Sequence, residues 1–152
     1  MKILLATDGS AHSKEMVKEF AGRTFTLNTK VRIISAYERS PHIMYIDPIG
    51  VANEYYTIAD KYLLKSAEAA IENAATILRK IKPKLSVSTS VIEGSPKVVI
   101  LEEAEKFGAN LIVVGSHGHG AVAGFLLGSV SQAVALHAKC SVEIVRNEKT
   151  NK

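Results

Sequence analysis

The chain has 152 residues, 47% of them hydrophobic and 22% charged, with a net charge of +4; this is the profile of one ordinary globular domain with a core of its own, and the mild charge does not call for a nucleic-acid partner. A single cysteine, Cys140, excludes an intramolecular disulfide and any multi-cysteine metal site. No apolar run approaches a signal peptide or a membrane span, so a cytoplasmic protein with no membrane partner is expected.

Lys2 to Thr7 (KILLAT) is a short apolar run closed by Asp8-Gly9-Ser10, which predicts a first strand, central in an α/β sheet, ending in a turn. Met16, Phe20 and Leu27, with Val17 and Thr24, then recur at helical spacing and predict a helix from about Ala11 to Thr26. Val31 to Tyr37 (VRIISAY) reads as the second strand. Residues 38–53 break the pattern with Pro41, Pro48 and Gly50, yet carry Ile43, Met44, Tyr45 and Ile46. A loop this apolar either covers a site or touches a partner, or else packs half-buried, and the sequence leaves these readings open. A long helix is predicted from about Asn53 to Ile81, with Ile58, Tyr62, Ala70, Ala74, Ile77 and Ile81 on one face and Pro83 as its stop. The basic run Arg79-Lys80-Ile81-Lys82-Pro83-Lys84 falls at that helix end, where cations suit the dipole, and no aromatic residue interleaves with it.

Leu85 to Ile92 (LSVSTSVI) alternates apolar and small polar residues, as a strand near a sheet edge does. Ser95-Pro96 predicts a helix start, with a capping hydroxyl before a proline at the first helical position; Ile100, Ala104 and Phe107 form its buried stripe. Leu111 to Val114 is a fourth strand, followed by a loop bearing Gly115 and Gly118 and, nine residues on, by Gly128-Ser129 at the head of a helix running to about Ala138. Val142 to Val145 makes a fifth strand, and residues 147–152 form a polar tail behind a single domain of residues 1–146. Strands alternating with helices imply a parallel sheet covered on both faces, with ligands beyond the carboxyl ends of strands where the strand order reverses. The Thr7-Asp8-Gly9 turn and the Gly115 to Gly118 loop would flank that crevice. Strand, glycine-rich loop and helix N-terminus together suit an anion, because glycine permits close backbone approach and the helix end offers unpaired N–H groups.

Other motifs are weaker. Gly118-His119-Gly120-Ala121-Val122-Ala123 fits G-x-G-x-x-A, but it follows the fourth strand and no acidic ribose partner lies about twenty residues later. No GKS or GKT follows a glycine loop, so a P-loop is excluded. His117 and His119 make two metal ligands at most, and His12, His42 and His137 are scattered. Ser10, Ser129 and Ser131 have no histidine–acid pair recognisable from sequence, no arginine finger is in view, and Cys140 reads as a packing residue at a helix end.

Gly115-x-x-Gly118, nine residues, then Gly128-Ser129 resembles the nucleotide-binding signature of the universal stress protein family. ATDGS near the start, GSPKVVILEEAEKFGANLIVVGSHGHG and the closing GSVSQAVALHAKCSVEIVR extend the likeness over nearly the whole chain. The resemblance implies a Rossmann-like, single-domain open five-stranded parallel sheet of order 3-2-1-4-5 with helices on both faces. It also implies a homodimer through the last strand (Val142, Ile144, Val145) and, in the branch that keeps the full signature, bound ATP, with Mg²⁺ or Mn²⁺ as a possible companion. By similarity, Asp8 and Ala36 sit by the adenosine, supported by Ala6 and Thr7. Val114, Gly115, Ser116, His117 and Gly118 follow the ribose and phosphate path, and Gly128, Ser129, Val130 and Ser131 hold the phosphates. Two departures stand out: the family often has proline where Ser141 stands, implying a looser lead into the last strand, and no Lys or Arg lies between His119 and Gly128. The expected function is therefore ATP binding as a ligand or switch in a stress response, with at most slow hydrolysis; the alternatives are an interaction protein with a vestigial pocket and a slow ATPase.

Overall fold

The computed structural model describes residues 1–39, 51–118 and 127–146, with the backbone alone for 51–55. Strands β1 (Lys2–Ala6), β2 (Lys30–Tyr37), β3 (Ser86–Glu93), β4 (Leu111–Gly115) and β5 (Ser141–Val145) alternate with helices α1 (Ala11–Ala21), α2 (Val51–Ile81), α3 (Pro96–Phe107) and α4 (Ser129–His137). The strands form one sheet in the order β3-β2-β1-β4-β5, and every pairing is parallel. The expected fold class is borne out. β1 is the central strand, hydrogen-bonded to β2 from Lys2 to Ala6 and to β4 from Ile3 to Leu5.

The two faces of the sheet follow from the two-residue period of a strand. Ile3, Leu5, Val31, Ile33 and Val113 join Met16, Val17 and Phe20 of α1 and Ala74, Ala75 and Leu78 of α2 in one apolar cluster. Leu4, Ile34, Ile112 and Val114 turn the other way and meet Val99, Ile100 and Ala104 of α3 and Val134 of α4. Leu4 and Leu5 are both fully buried, so consecutive residues of β1 anchor opposite layers. Truncating either to alanine would cost about 2–5 kcal/mol.

The helices depart from their predicted shapes in instructive ways. α1 stops at Ala21 because the Gly22 N–H closes on the Lys18 and Glu19 carbonyls, after which Thr26 and Thr29 build a turn; Leu27, predicted on the buried face, is 94% exposed. α2 buries Ala67, Ala70, Ala74, Ala75 and Leu78, whereas Ile58, Tyr62 and Ile81 are exposed. At 3.6 residues per turn Ile58 lies about half a turn around from Ala67, so the apolar line drawn from Ile58 to Ile81 is not one face. Ser95 occupies the N-cap of α3 but its hydroxyl makes no capping bond; its carbonyl accepts from Val98 and Val99 instead. Phe107, predicted as core, is half-buried under the Arg32 guanidinium, 4.3 Å from its ring centre.

β3 and β5 are the sheet edges. Ser141 already pairs with Leu111, so β5 is entered without the expected looseness. Val145 is buried in the α1 side of the core, leaving Val142 and Ile144 as the half-buried apolar side chains of that edge. Glu143 of β5 is bound by Arg23, just past the end of α1, and this carboxylate holds the Arg23 pKa above its ordinary value. The apolar loop over residues 40–50 and the tail 147–152 lie outside the described residues.

Candidate functional site

β1 lies between β2 and β4, and the chain leaves its carboxyl end towards α1 while β4 leads to α4; the two connections diverge there and leave a crevice. A cleft of about 500 Å³ opens at this place, within the size range of small-molecule sites. Ala6, Thr7 and Asp8 line it from β1, Ala36 from β2, Val114 and Gly115 from β4, His117 and Gly118 from the loop, and Gly128, Ser129, Val130 and Ser131 from α4. These are the residues named from the sequence, with one exception. Ser116 is buried behind the wall, where its N–H donates to Val145 and its carbonyl accepts the Gly128 N–H at 2.8 Å. Its role is to tie the glycine loop to the head of α4.

Sequence reading missed Ser13, Ile34, Pro96, Ile100, Leu127 and Gln132, which also line the cleft. Ile34 and Ile100 were legible only as core, and here they form an apolar wall with Val114 and Ala36. Nothing in a strand pattern separates a core residue from one capping an open crevice at the strand's end.

The β1 turn is internally satisfied. The Ser10 hydroxyl caps α1 by accepting the Ser13 N–H at 3.2 Å, and the Ser13 hydroxyl donates back to the Ser10 carbonyl at 3.1 Å. The Thr7 hydroxyl donates to Ser13 Oγ at 3.1 Å and accepts the Gly9 N–H at 3.3 Å. Asp8 Oδ1 accepts the Ser10 N–H at 3.0 Å, an Asx turn that fixes the carboxylate. Gly9 adopts φ +77 and a Cβ there would sit 3.0 Å from Ala70 Cβ, so the turn requires glycine on both conformational and steric grounds.

The other Asp8 oxygen faces Gly118 across the cleft: a Cβ on Gly118 would lie 2.5 Å from Asp8 Oδ2. Gly118 is thus a cradle that any side chain would fill. At α4 the N-cap is Gly128, with no side-chain capping bond and no acidic residue in the first turn. The leading N–H groups of a helix have no intrahelical partner, and they carry the positive end of its dipole. The Ser131 hydroxyl is committed, donating to the Gly115 carbonyl at 2.5 Å, so Ser131 offers an anion its backbone rather than its hydroxyl hydrogen.

The cleft therefore has an apolar half and a half rich in backbone donors, the profile of a ligand with a flat apolar body and an anionic end. Among the described lining residues Asp8 and His117 are the ionisable ones. Among the described residues no group of three or more His, Cys, Asp or Glu gathers as a metal site, and no helix is long and apolar enough to cross a membrane. Away from the cleft, burial pushes the Cys140 thiol pKa up, as for a packing residue.

Comparison with known proteins agrees with this architecture. The model of the universal stress protein family matches residues 1–146. A universal stress protein of Thermus aquaticus, encoded beside a QAH/OAS sulfhydrylase, is 32% identical over 144 residues, covering 95% of this chain and 97% of its own. The solved structure of the hypothetical protein MJ0577 superposes with a TM-score of 0.78 at 23% identity, covering 98% of this chain and 97% of that one. A universal stress protein solved in complex with cAMP superposes with a TM-score of 0.60 at 27% identity, covering 96% of each.

Proposed function

The chain belongs to the universal stress protein family, and from that premise we propose that it is a cytoplasmic ATP-binding protein in which the nucleotide serves as a ligand or switch in a stress response. The observation that carries this reading is the uncapped head of α4 at Gly128, opening into a cleft whose opposite wall is apolar. The adenine would lie against Ile34, Ala36, Ile100 and Val114, with Asp8 accepting hydrogen bonds from the ribose. The phosphates would take the N–H groups of Ser129 to Ser131 and pass over Gly118. The cAMP held by the relative just described is an adenine nucleotide of the same chemical class.

Micromolar affinity corresponds to about −8 kcal/mol. Hydrogen bonds to charged groups contribute roughly 1.5–3 kcal/mol each, so several backbone donors suffice without a lysine. An accompanying Mg²⁺ or Mn²⁺ would be held mainly by the phosphates, because Asp8 is the one carboxylate among the described lining residues. Turnover needs a group that positions water and a cation that stabilises the transferred phosphoryl; the Thr7, Ser13 and Ser131 hydroxyls are already tied to protein partners. Binding with at most slow hydrolysis follows. Calorimetry with ATP, with and without Mg²⁺, tests the reading; no heat of binding in either case would leave an interaction protein with a vestigial pocket.

A homodimer through β5 belongs to the same proposal. Val142 and Ile144 sit on an unpaired sheet edge, which a second copy could extend as an antiparallel strand about a two-fold axis. Ile144→Lys should yield monomer in light scattering; a fully dimeric variant would remove β5 as the interface.

A further inference from the structure

The cleft presents a charge problem that the backbone alone does not solve. A nucleotide carries several negative charges, the described lining residues include no Lys or Arg, and Asp8 adds a carboxylate. Next to the cleft, however, two imidazoles face each other. His117 lines the cleft, with Nδ1 3.1 Å from Ser116 Oγ, and the His12 ring on α1 lies 6.3 Å from it, centre to centre, at an interplanar angle of 51°. We propose that His12 and His117 form a protonatable counter-charge for the nucleotide's phosphates, so that the cleft holds phosphate-bearing ligands more tightly as pH falls. The inference rests on the nucleotide reading above and adds the residues that select for charge.

Histidine changes charge between about pH 5 and 8, and an anion held nearby favours the charged form, so binding and proton uptake are linked. A protonated His117 donates from Nδ1 to the Ser116 hydroxyl, which holds the ring at the cleft wall. His12, at the second position of α1, stands within about a Debye length (roughly 8 Å at physiological salt) of that ring, so salt screens its charge only in part there. The charged groups nearby are Asp8 of the β1 turn, beside Gly118, and Glu15 on α1, the latter joined to Lys18 at 2.7 Å. A bound polyphosphate favours the charged form of an imidazole beside it.

The test is titration calorimetry of the full chain with ATP at about pH 6 and about pH 8, in buffers of different ionisation enthalpy. Wild-type protein should bind about tenfold more tightly at the lower pH, with net proton uptake read from the buffer dependence of the heat. His12→Asn should reduce that ratio about threefold and lower the uptake. Adenosine, without phosphate, should bind with little dependence on pH. ATP's terminal phosphate also titrates in this range, but identically for both proteins, so the difference between them isolates the imidazole. ATP binding with the same pH profile and the same proton uptake in both proteins would overturn the proposal and leave the nucleotide reading standing. No ATP binding at either pH would overturn both.

Discussion

Two strand–turn–helix junctions flank the cleft, and they solve the same problem in opposite ways. After β1, the head of α1 is closed by its own chain: Ser10 caps it, Ser13 answers Ser10, Thr7 joins Ser13, and Asp8 holds the Ser10 N–H. After β4, the head of α4 starts at a glycine with no side chain to offer, and the nearby Ser131 hydroxyl is drawn back to the strand. Both are parallel β-strands leading into helices on one sheet. The difference lies in who supplies an acceptor for the helix's leading N–H groups: the Ser10 hydroxyl in the first case and, on the function proposed above, a ligand in the second. A closed junction stabilises the fold with or without ligand, whereas an open one gains its acceptors only when the site is filled.

Substitutions can break this contrast. The largest effect is expected from Gly118→Val, whose Cβ would lie 2.5 Å from Asp8 Oδ2 and push the carboxylate away from the cleft. ATP affinity should fall tenfold or more, about 1.4 kcal/mol, in calorimetry, while the far-UV spectrum stays native. Ser129→Ala, at the open junction, keeps the backbone N–H but removes the hydroxyl as a further donor to the phosphates; it should cost on the order of 1–2 kcal/mol of ATP binding and little stability, and adenosine affinity should hardly change. Ser10→Ala, at the closed junction, should do the reverse: about 1 kcal/mol lost in urea unfolding, with ATP affinity nearly preserved. If Ser10→Ala weakened ATP more than Ser129→Ala did, the assignment of the two junctions would be inverted.

The parallel sheet was legible because apolar runs such as KILLAT and LIVVG are too short for buried helices and alternate with amphipathic segments, whereas its strand order came from the family resemblance. Gly118, Gly128 and Asp8 were legible as lining one crevice, because the turn after β1 and the glycine loop after β4 lie where the strand order reverses. The closed state of the β1 turn was not, since Ser10 and Ser13 could equally have faced water. The face of α2 was misread because alanine gives a weak apolar signal while Ile58 and Tyr62 give a strong one; the sheet selects the small side chains for close approach. Glu143 shows a third limit: its partner Arg23 lies 120 residues away in sequence, beyond any local pattern.

The contact between the β1 turn and α2 bears on how this protein can change over generations. The Asp8-Gly9 turn rests on Ala70 of α2, with 3.0 Å between Ala70 Cβ and the place a Cβ on Gly9 would take. Positions 9 and 70 therefore cannot drift independently: a larger residue at 70 lifts the turn, and with it Asp8, while every cleft residue keeps its identity. The geometry of the cleft is thus open to loss through a residue that does not line it, with the glycine signature intact.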